Sequence, residues 1–177
     1  MEYELSISEI LNSTLENYCP LVKKETVKIL DAMSGFWSYS KTLLDYFSKH
    51  YSVKSLMGVE KDNYWEGFST IFEKPLEYLN CLVEELPSNY NKHFDIITNF
   101  SPRCTSQARV NSLMPAYKRI REMLKEDGIF FATTYNYYEM DNLYYLVRSS
   151  GFEAKTVKKN KFDESESYYG WVLIATP

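Results

Sequence analysis

Short apolar segments alternate with amphipathic segments along most of the chain. The apolar segments are rich in β-branched and aromatic residues, which is typical of buried strands. The segments between them carry apolar residues at spacings of three and four, as one face of a helix does. This pattern predicts strands at residues 26–30, 53–59, 68–72, 94–98, 129–134, 153–159 and 169–176. It predicts helices at residues 6–22, 38–50, 76–86, 110–124 and 140–149, and a turn at residues 125–128.

The alternation of strands and helices predicts an α/β fold, a Rossmann-like three-layer sandwich with a mostly parallel seven-stranded sheet. No helix separates the last two predicted strands, so they are expected to form a C-terminal antiparallel hairpin. In such sheets ligands bind at the carboxyl ends of the strands, near the point where the strand order reverses. The loops after Leu30, Val59, Phe72 and Thr98 are therefore the expected functional loops.

The chain has 177 residues, of which 45% are hydrophobic and 25% charged, enough apolar material to bury a core. No linker or repeat divides it, so residues 1–177 are expected to form one domain. Residues 1–24 would be an N-terminal helix or lid, and residues 25–177 the core. Only six glycines are present, about half the usual share. A phosphate-binding loop with three clustered glycines is therefore not expected.

Charge and cysteine content narrow the class of protein further. The net charge of −4 does not favour a general polyanion binder. Nucleic acid stays a candidate partner, but the charge of the chain does not point to it. Three cysteines without a CxxC pair predict neither a disulfide framework nor a cysteine-built metal site, and free thiols favour a reducing compartment. No apolar run is long enough to span a membrane, and residues 1–10 do not resemble a signal peptide. The sequence thus predicts a cytoplasmic protein of undefined oligomeric state, without a metal.

Four landmarks, in this order, resemble the class I S-adenosylmethionine-dependent methyltransferases. VKILDAMSGFWS (27–38) resembles the first strand and glycine loop of that family, and SLMGVEKD (55–62) its second strand with a terminal acid. HFDIITNFSP (93–102) resembles the fourth strand and active-site loop, and MLKEDGIFFATT (123–134) the fifth strand. The closing WVLIATP suits the family's antiparallel seventh strand.

The resemblance implies S-adenosylmethionine as cofactor and assigns residues to it. Asp31 would begin the loop near the methionine portion, Gly35 would permit close approach of the cofactor to the backbone, and Glu60 would accept the ribose hydroxyls. Tyr64 or Trp65 would cover the adenine. The implied cofactor-binding set is Asp31, Ala32, Met33, Ser34, Gly35, Glu60, Lys61 and Tyr64.

The chain departs from the family pattern at two places. The family's loop places glycine at three alternate positions, which here hold Met33, Gly35 and Trp37. The acid at the end of the third strand is missing: its expected position holds Lys74 or Pro75, with Glu77 as a weak substitute. Asp31 and Glu60 also have ordinary alternatives, as a turn residue and as one member of an exposed charge cluster.

The sequence does not identify a catalytic residue. Asn99 and Ser101 are the candidates, because they occupy the place where amino-methyltransferases carry a polar active-site motif that this chain matches only in part. Arg103 and Tyr135 are candidates for holding the substrate. Arg103 also belongs to a basic stretch through Lys125, whose alternative interpretation is a solvated helix face.

Two functions follow from these residues. The first is methyl transfer from S-adenosylmethionine to an unidentified acceptor, either a small molecule or a macromolecule delivered by a partner. The alternative is a degenerate methyltransferase fold that acts as a non-catalytic binding or scaffold protein, with Met33 or Trp37 filling the cofactor volume. A nucleotide-dependent oxidoreductase is disfavoured because the chain lacks GxGxxG.

Overall fold

The computed structural model describes residues 25–35, 40–62, 75–100, 102–134, 136–159 and 171–177. The predicted N-terminal helix or lid and the predicted strand at 68–72 lie outside these residues. Seven strands are described. They are β1 (Thr26–Ala32), β2 (Ser52–Glu60), β3 (Leu76–Asn80), β4 (Phe94–Phe100), β5 (Leu124–Thr134), β6 (Glu153–Lys159) and β7 (Trp171–Thr176).

The strands form one sheet with the order β3-β2-β1-β4-β5-β7-β6. Pairing is parallel from β3 through to β5, whereas β7 runs antiparallel to both of its neighbours, β5 and β6. The predicted α/β class, mostly parallel seven-stranded sheet and C-terminal antiparallel hairpin are therefore confirmed. β7 inserts between β5 and β6, so only one strand of the hairpin opposes the others.

Three helices are described: α1 (Ser40–Ser48), α2 (Gln107–Met123) and α3 (Tyr137–Ser149). α1 packs on one face of the sheet, where Leu43 and Phe47 join apolar side chains of β1 and β2. α2 and α3 pack on the other face, where the larger apolar cluster lies. Among the described residues no helix is long and apolar enough to cross a membrane.

The prediction of a helix at residues 76–86 is wrong. Leu76–Asn80 is the third strand, and a short 3₁₀ turn at Val83–Glu85 follows it. The residues match a helical spacing because Leu79, Val83 and Leu86 all face the same apolar cluster. Among the described strands β3 pairs only with β2, and it is half-buried, so it lacks the apolar run of a central strand.

The turn predicted at residues 125–128 lies inside β5 as an irregularity of the ladder. Phe94 pairs with Leu124 and Ile96 with Ile129, so β5 advances five residues while β4 advances two. A side chain at Gly128 would place its Cβ 2.7 Å from Leu124, which explains the glycine. The turn residues thus form a bulge rather than ending the strand.

Arg119 of α2 is buried and holds a loop on the sheet. Its guanidinium donates to the carbonyl oxygens of Leu86 (3.0 Å) and Pro87 (2.6 Å). It also donates to the side chains of Asn91 and Glu122. This residue is therefore not part of a solvated basic face, in contrast to the alternative interpretation of the stretch from Arg103 to Lys125.

His93 belongs to a charged cluster at the amino-terminal edge of the sheet. Its Nε2 lies 3.0 Å from the Lys28 ammonium nitrogen. The buried Asp95 carboxylate accepts from the Lys28 backbone N–H (2.9 Å) and from Lys125 (2.8 Å). Burial first, and then the Lys28 and Lys125 charges, lower the pKa of His93, with Asp95 and Glu77 opposing them.

The lowered pKa of His93 predicts a loss of stability in acid. The unfolded chain takes up a proton at His93 near pH 6.5, whereas the folded chain does so only at lower pH. The stability that neutral His93 contributes is therefore fully present above about pH 6.5, and it is lost as the pH falls through the pKa of His93 in the folded chain. We expect His93→Gln to lose less unfolding free energy than the wild type between neutral pH and pH 5, as measured by urea denaturation. His50→Gln, at an exposed position, is the control. Parallel curves for wild type and His93→Gln would contradict this expectation.

Candidate functional site

The candidate site lies where β1 and β4 adjoin at the carboxyl edge of the sheet. The chain leaves β1 towards β2 and β3, and leaves β4 towards β5, so the strand order reverses between these two strands. A crevice opens at such a point, because the connections on either side lead away from each other. The residues that follow β1, β2, β3 and β4 border it.

The loop after β1 adopts a backbone conformation that favours glycine at two positions, although only one of the two is glycine. Met33 has φ 56° and Gly35 has φ 58°, both in the left-handed region. The Ser34 N–H donates to the Val59 carbonyl oxygen at 3.0 Å, which fixes the loop against β2. A Cβ at Gly35 would meet no atom of the described residues within 4 Å.

Glu60, the last residue of β2, joins that loop to its own strand end. Its Oε2 accepts the Gly35 N–H at 3.1 Å. Its Oε1 accepts the Lys61 N–H at 2.8 Å and, more weakly, the Asp62 N–H at 3.4 Å. Glu60 is half-buried, so its side chain is neither enclosed in the core nor free at the surface. This geometry differs from that of a free member of an exposed charge cluster.

Asn80 is the last residue of β3. The methyltransferases that the sequence resembles carry an acid at the end of this strand. Its Nδ2 donates to the backbone carbonyl oxygens of Glu60 (3.0 Å) and Lys61 (3.1 Å). Glu77, the weak substitute named from the sequence, lies within β3 instead of at its end. Asn80 is not among the predicted site residues, because the apolar spacing of its segment predicted a helix.

Asp31 lies in β1 beneath the loop and is fully buried. It pairs in register with Thr98 of β4, whose hydroxyl donates to Asp31 Oδ1 at 2.7 Å. Ala32, the next residue, is also fully buried. The Asp31 side chain thus links the two strands that flank the crevice. Thr98 carried no sequence signal beyond its place at the end of a predicted strand.

Asn99, near the end of β4, is fully buried on the α2 side of the sheet. Its Nδ2 donates to Tyr117 Oη at 3.4 Å and lies 3.9 Å from the Met33 sulfur. Its Oδ1 has no hydrogen-bond partner in the described part of the chain. The Met33 thioether can accept a hydrogen bond but cannot donate one. The amide nitrogen of Asn99, and not its oxygen, is therefore assigned to the position that faces the Met33 sulfur. A buried unpaired carbonyl costs about 1–3 kcal/mol, which a ligand donor would offset.

The groups around Asn99 are held in their neutral forms. Burial holds the pKa of Tyr117 well above its ordinary value. Burial, with Glu139 adding to it, raises the pKa of Cys104 to about 12. Cys104 is fully buried. A thiol of this pKa is not a nucleophile at neutral pH.

Other predicted site residues lie at the rim or beyond the described residues. Lys61 is exposed beside Glu60. Arg103 is exposed in the loop after β4, with φ 51°. Tyr64, Ser101 and Tyr135 lie outside the described residues. Among the described residues, no three His, Cys, Asp or Glu side chains are grouped so as to hold a metal ion.

Comparison with solved structures identifies the fold. A methyltransferase from Clostridium acetobutylicum that depends on S-adenosylmethionine superposes with a TM-score of 0.65 at 11% identity, over 95% of this chain and 90% of that one. The 1,6-didemethyltoxoflavin-N1-methyltransferase of Burkholderia thailandensis, solved with its substrate and S-adenosylhomocysteine, superposes with a TM-score of 0.61 at 14% identity, over 99% and 88%. The chain has the class I methyltransferase fold.

A third similar structure contains a partner protein. It is a chain from a Haloferax volcanii complex of the Trm112 methyltransferase activator, and it superposes with a TM-score of 0.61 at 10% identity, over 97% of this chain and 92% of that one. No protein-family model and no curated protein matches the sequence. The class I methyltransferase fold is therefore shown by the comparison of structures, whose sequence identities are only 10–14%.

Proposed function

We propose that the protein is an S-adenosylmethionine-dependent methyltransferase. The observation that carries the proposal is the contact between the Gly35 N–H and the Glu60 carboxylate at the crevice of this fold. It joins the loop after β1 to the acid after β2, the two features that the resemblance assigns to the cofactor. The cofactor would supply a methyl group on a sulfonium, and the residues of this chain would bind and orient the two reactants.

The residues around the loop fit this cofactor. The described residues leave space beside Gly35 for a ligand to approach the backbone, and the half-buried Glu60 keeps lone pairs for a ribose diol. Asn80 supports Glu60 from behind through the backbone carbonyls. Asp31 is buried, so its proposed role is to hold β1 against β4 through Thr98 and thereby to position the loop.

Asn99 is the proposed contact for the methyl acceptor. Its Oδ1 would accept a hydrogen bond from an N–H or O–H group of the acceptor, while Tyr117 fixes the amide through Nδ2. Methyl transfer from a sulfonium depends chiefly on in-line positioning, so a buried amide suffices for the chain's part. Arg103 at the rim would hold an anionic portion of the acceptor, whose identity the site does not specify.

Isothermal titration with S-adenosylmethionine and S-adenosylhomocysteine tests the proposal. We expect both to bind with one site per chain, because the loop and Glu60 form one cradle. Absence of binding at millimolar cofactor would refute the proposal and would favour the binding or scaffold role. The cytoplasmic location and the one-domain organisation of residues 1–177 remain predictions.

A further inference from the structure

One face of α3 exposes an unusual number of tyrosines. The exposed fractions are 54% for Tyr137, 80% for Tyr138, 41% for Tyr144 and 54% for Tyr145. Buried residues such as Leu143 and Val147 occupy the opposite side of the same helix. Exposed aromatic patches of this kind mark interaction surfaces. We call the exposed residues the tyrosine face: Tyr137, Tyr138, Asp141, Tyr144, Tyr145 and Arg148.

Two opposite charges lie along the middle of the tyrosine face. At 100° per residue, Asp141 and Arg148 point in nearly the same direction, between the tyrosines. They are seven residues apart, or about 10.5 Å along the helix axis. Both are exposed, and within the described residues neither side chain makes a hydrogen bond or an ion pair. Their spacing is too long for them to pair within one helix.

The arrangement is self-complementary. If a second α3 lies antiparallel across the first, with the two-fold axis between positions 144 and 145, position 141 of each helix faces position 148 of the other. Asp141 then meets Arg148 of the second copy twice, and Tyr144 and Tyr145 lie at the centre. A two-fold interface requires that one patch complement itself in this way.

We propose that the tyrosine face is a homodimer interface in which two copies of α3 pack antiparallel. Four partly exposed tyrosines offer on the order of 400 Å² per copy, against roughly 800 Å² in a stable complex. The dimer is therefore weak and depends on protein concentration. The inference stands whether or not the chain transfers methyl groups.

Charge-reversal variants measured by sedimentation velocity test this interface. Asp141→Arg turns two attractions into two repulsions, and Arg148→Asp does the same. Each is expected to raise the dimer dissociation constant about 30-fold. The double variant Asp141→Arg/Arg148→Asp restores both pairs and is expected to dimerise as the wild type does. Asp45→Arg, an exposed position on α1, carries the same charge change as a control and is expected to have no effect.

Several results would overturn the proposal. They are a wild-type chain that stays monomeric at millimolar concentration, a dimer that Asp141→Arg leaves intact, and a double variant that does not recover. A nucleic-acid surface gives a different pattern, because removing the acid should tighten binding of a mixed-sequence single-stranded RNA. Monomeric wild type with tighter RNA binding by Asp141→Arg would therefore assign the face to nucleic acid instead.

Discussion

Glu60→Gln is expected to weaken the binding of S-adenosylhomocysteine about 100-fold, as measured by isothermal titration. Glutamine has one oxygen, whereas the carboxylate uses both of its oxygens on the loop and strand backbone. The variant must therefore give up the Gly35 N–H, the Lys61 N–H or a ribose hydroxyl. Hydrogen bonds to a charged group contribute about 1.5–3 kcal/mol each, and losing one near the upper end of that range accounts for the expected change.

Glu77→Gln is the matched control for this measurement. It makes the same chemical change one strand away, at an exposed residue within β3. Its affinity for S-adenosylhomocysteine should match that of the wild type, and urea denaturation of both variants separates lost binding from lost folding. Equal affinities of Glu60→Gln and the wild type would show that Glu60 fastens the loop without contacting a ligand.

Arg119→Leu is expected to lower the free energy of unfolding by about 3–4 kcal/mol. The substitution removes the guanidinium donor to the Leu86 carbonyl oxygen and one of the two donors to the Pro87 carbonyl oxygen, and it leaves Glu122 without its cation. Each buried group left unsatisfied costs about 1–3 kcal/mol. Arg119→Lys keeps the charge but not the planar set of donors, so it should fall between leucine and the wild type.

Lys118→Leu supplies the comparison, because Lys118 is the exposed neighbour of Arg119 and carries the same charge. It should change the unfolding free energy by no more than about 0.5 kcal/mol. The Arg119→Leu melting temperature should fall by about 10 °C, given the usual 2–4 °C per kcal/mol for chains of this size. Similar denaturation midpoints for the two leucine variants would mean that the Arg119 contacts contribute little.

The central strands could be predicted from the sequence because the residues of each strand, taken alone, show that the strand is buried. The segments around Ile29, Ile97 and Phe130 are rich in apolar residues that are buried, as expected for strands of a sheet covered on both faces. β3 was missed for the opposite reason. It is short, pairs on one side and carries polar residues, so its identity comes from β2 and not from its own sequence.

The candidate site divides in the same way. Glu60 and Gly35 follow predicted strand ends, and the structure brings them into direct contact. Asn80 could not be predicted because its segment was assigned to a helix, and Tyr117 could not because its contact with Asn99 joins α2 to a strand of the sheet. The burial of Arg119 likewise depends on carbonyl groups more than 30 positions away, so the sequence shows only one more base on a helix.

The left-handed backbone at Met33 bears on how relatives of this chain can be recognised. A search pattern written in glycines rejects the loop, although the backbone holds a left-handed conformation at positions 33 and 35. The loop requires a left-handed φ angle at these positions. A residue with a side chain can adopt that angle at a cost of about 1–2 kcal/mol. Descriptions of this loop that specify φ in place of residue type would therefore find chains that glycine patterns miss.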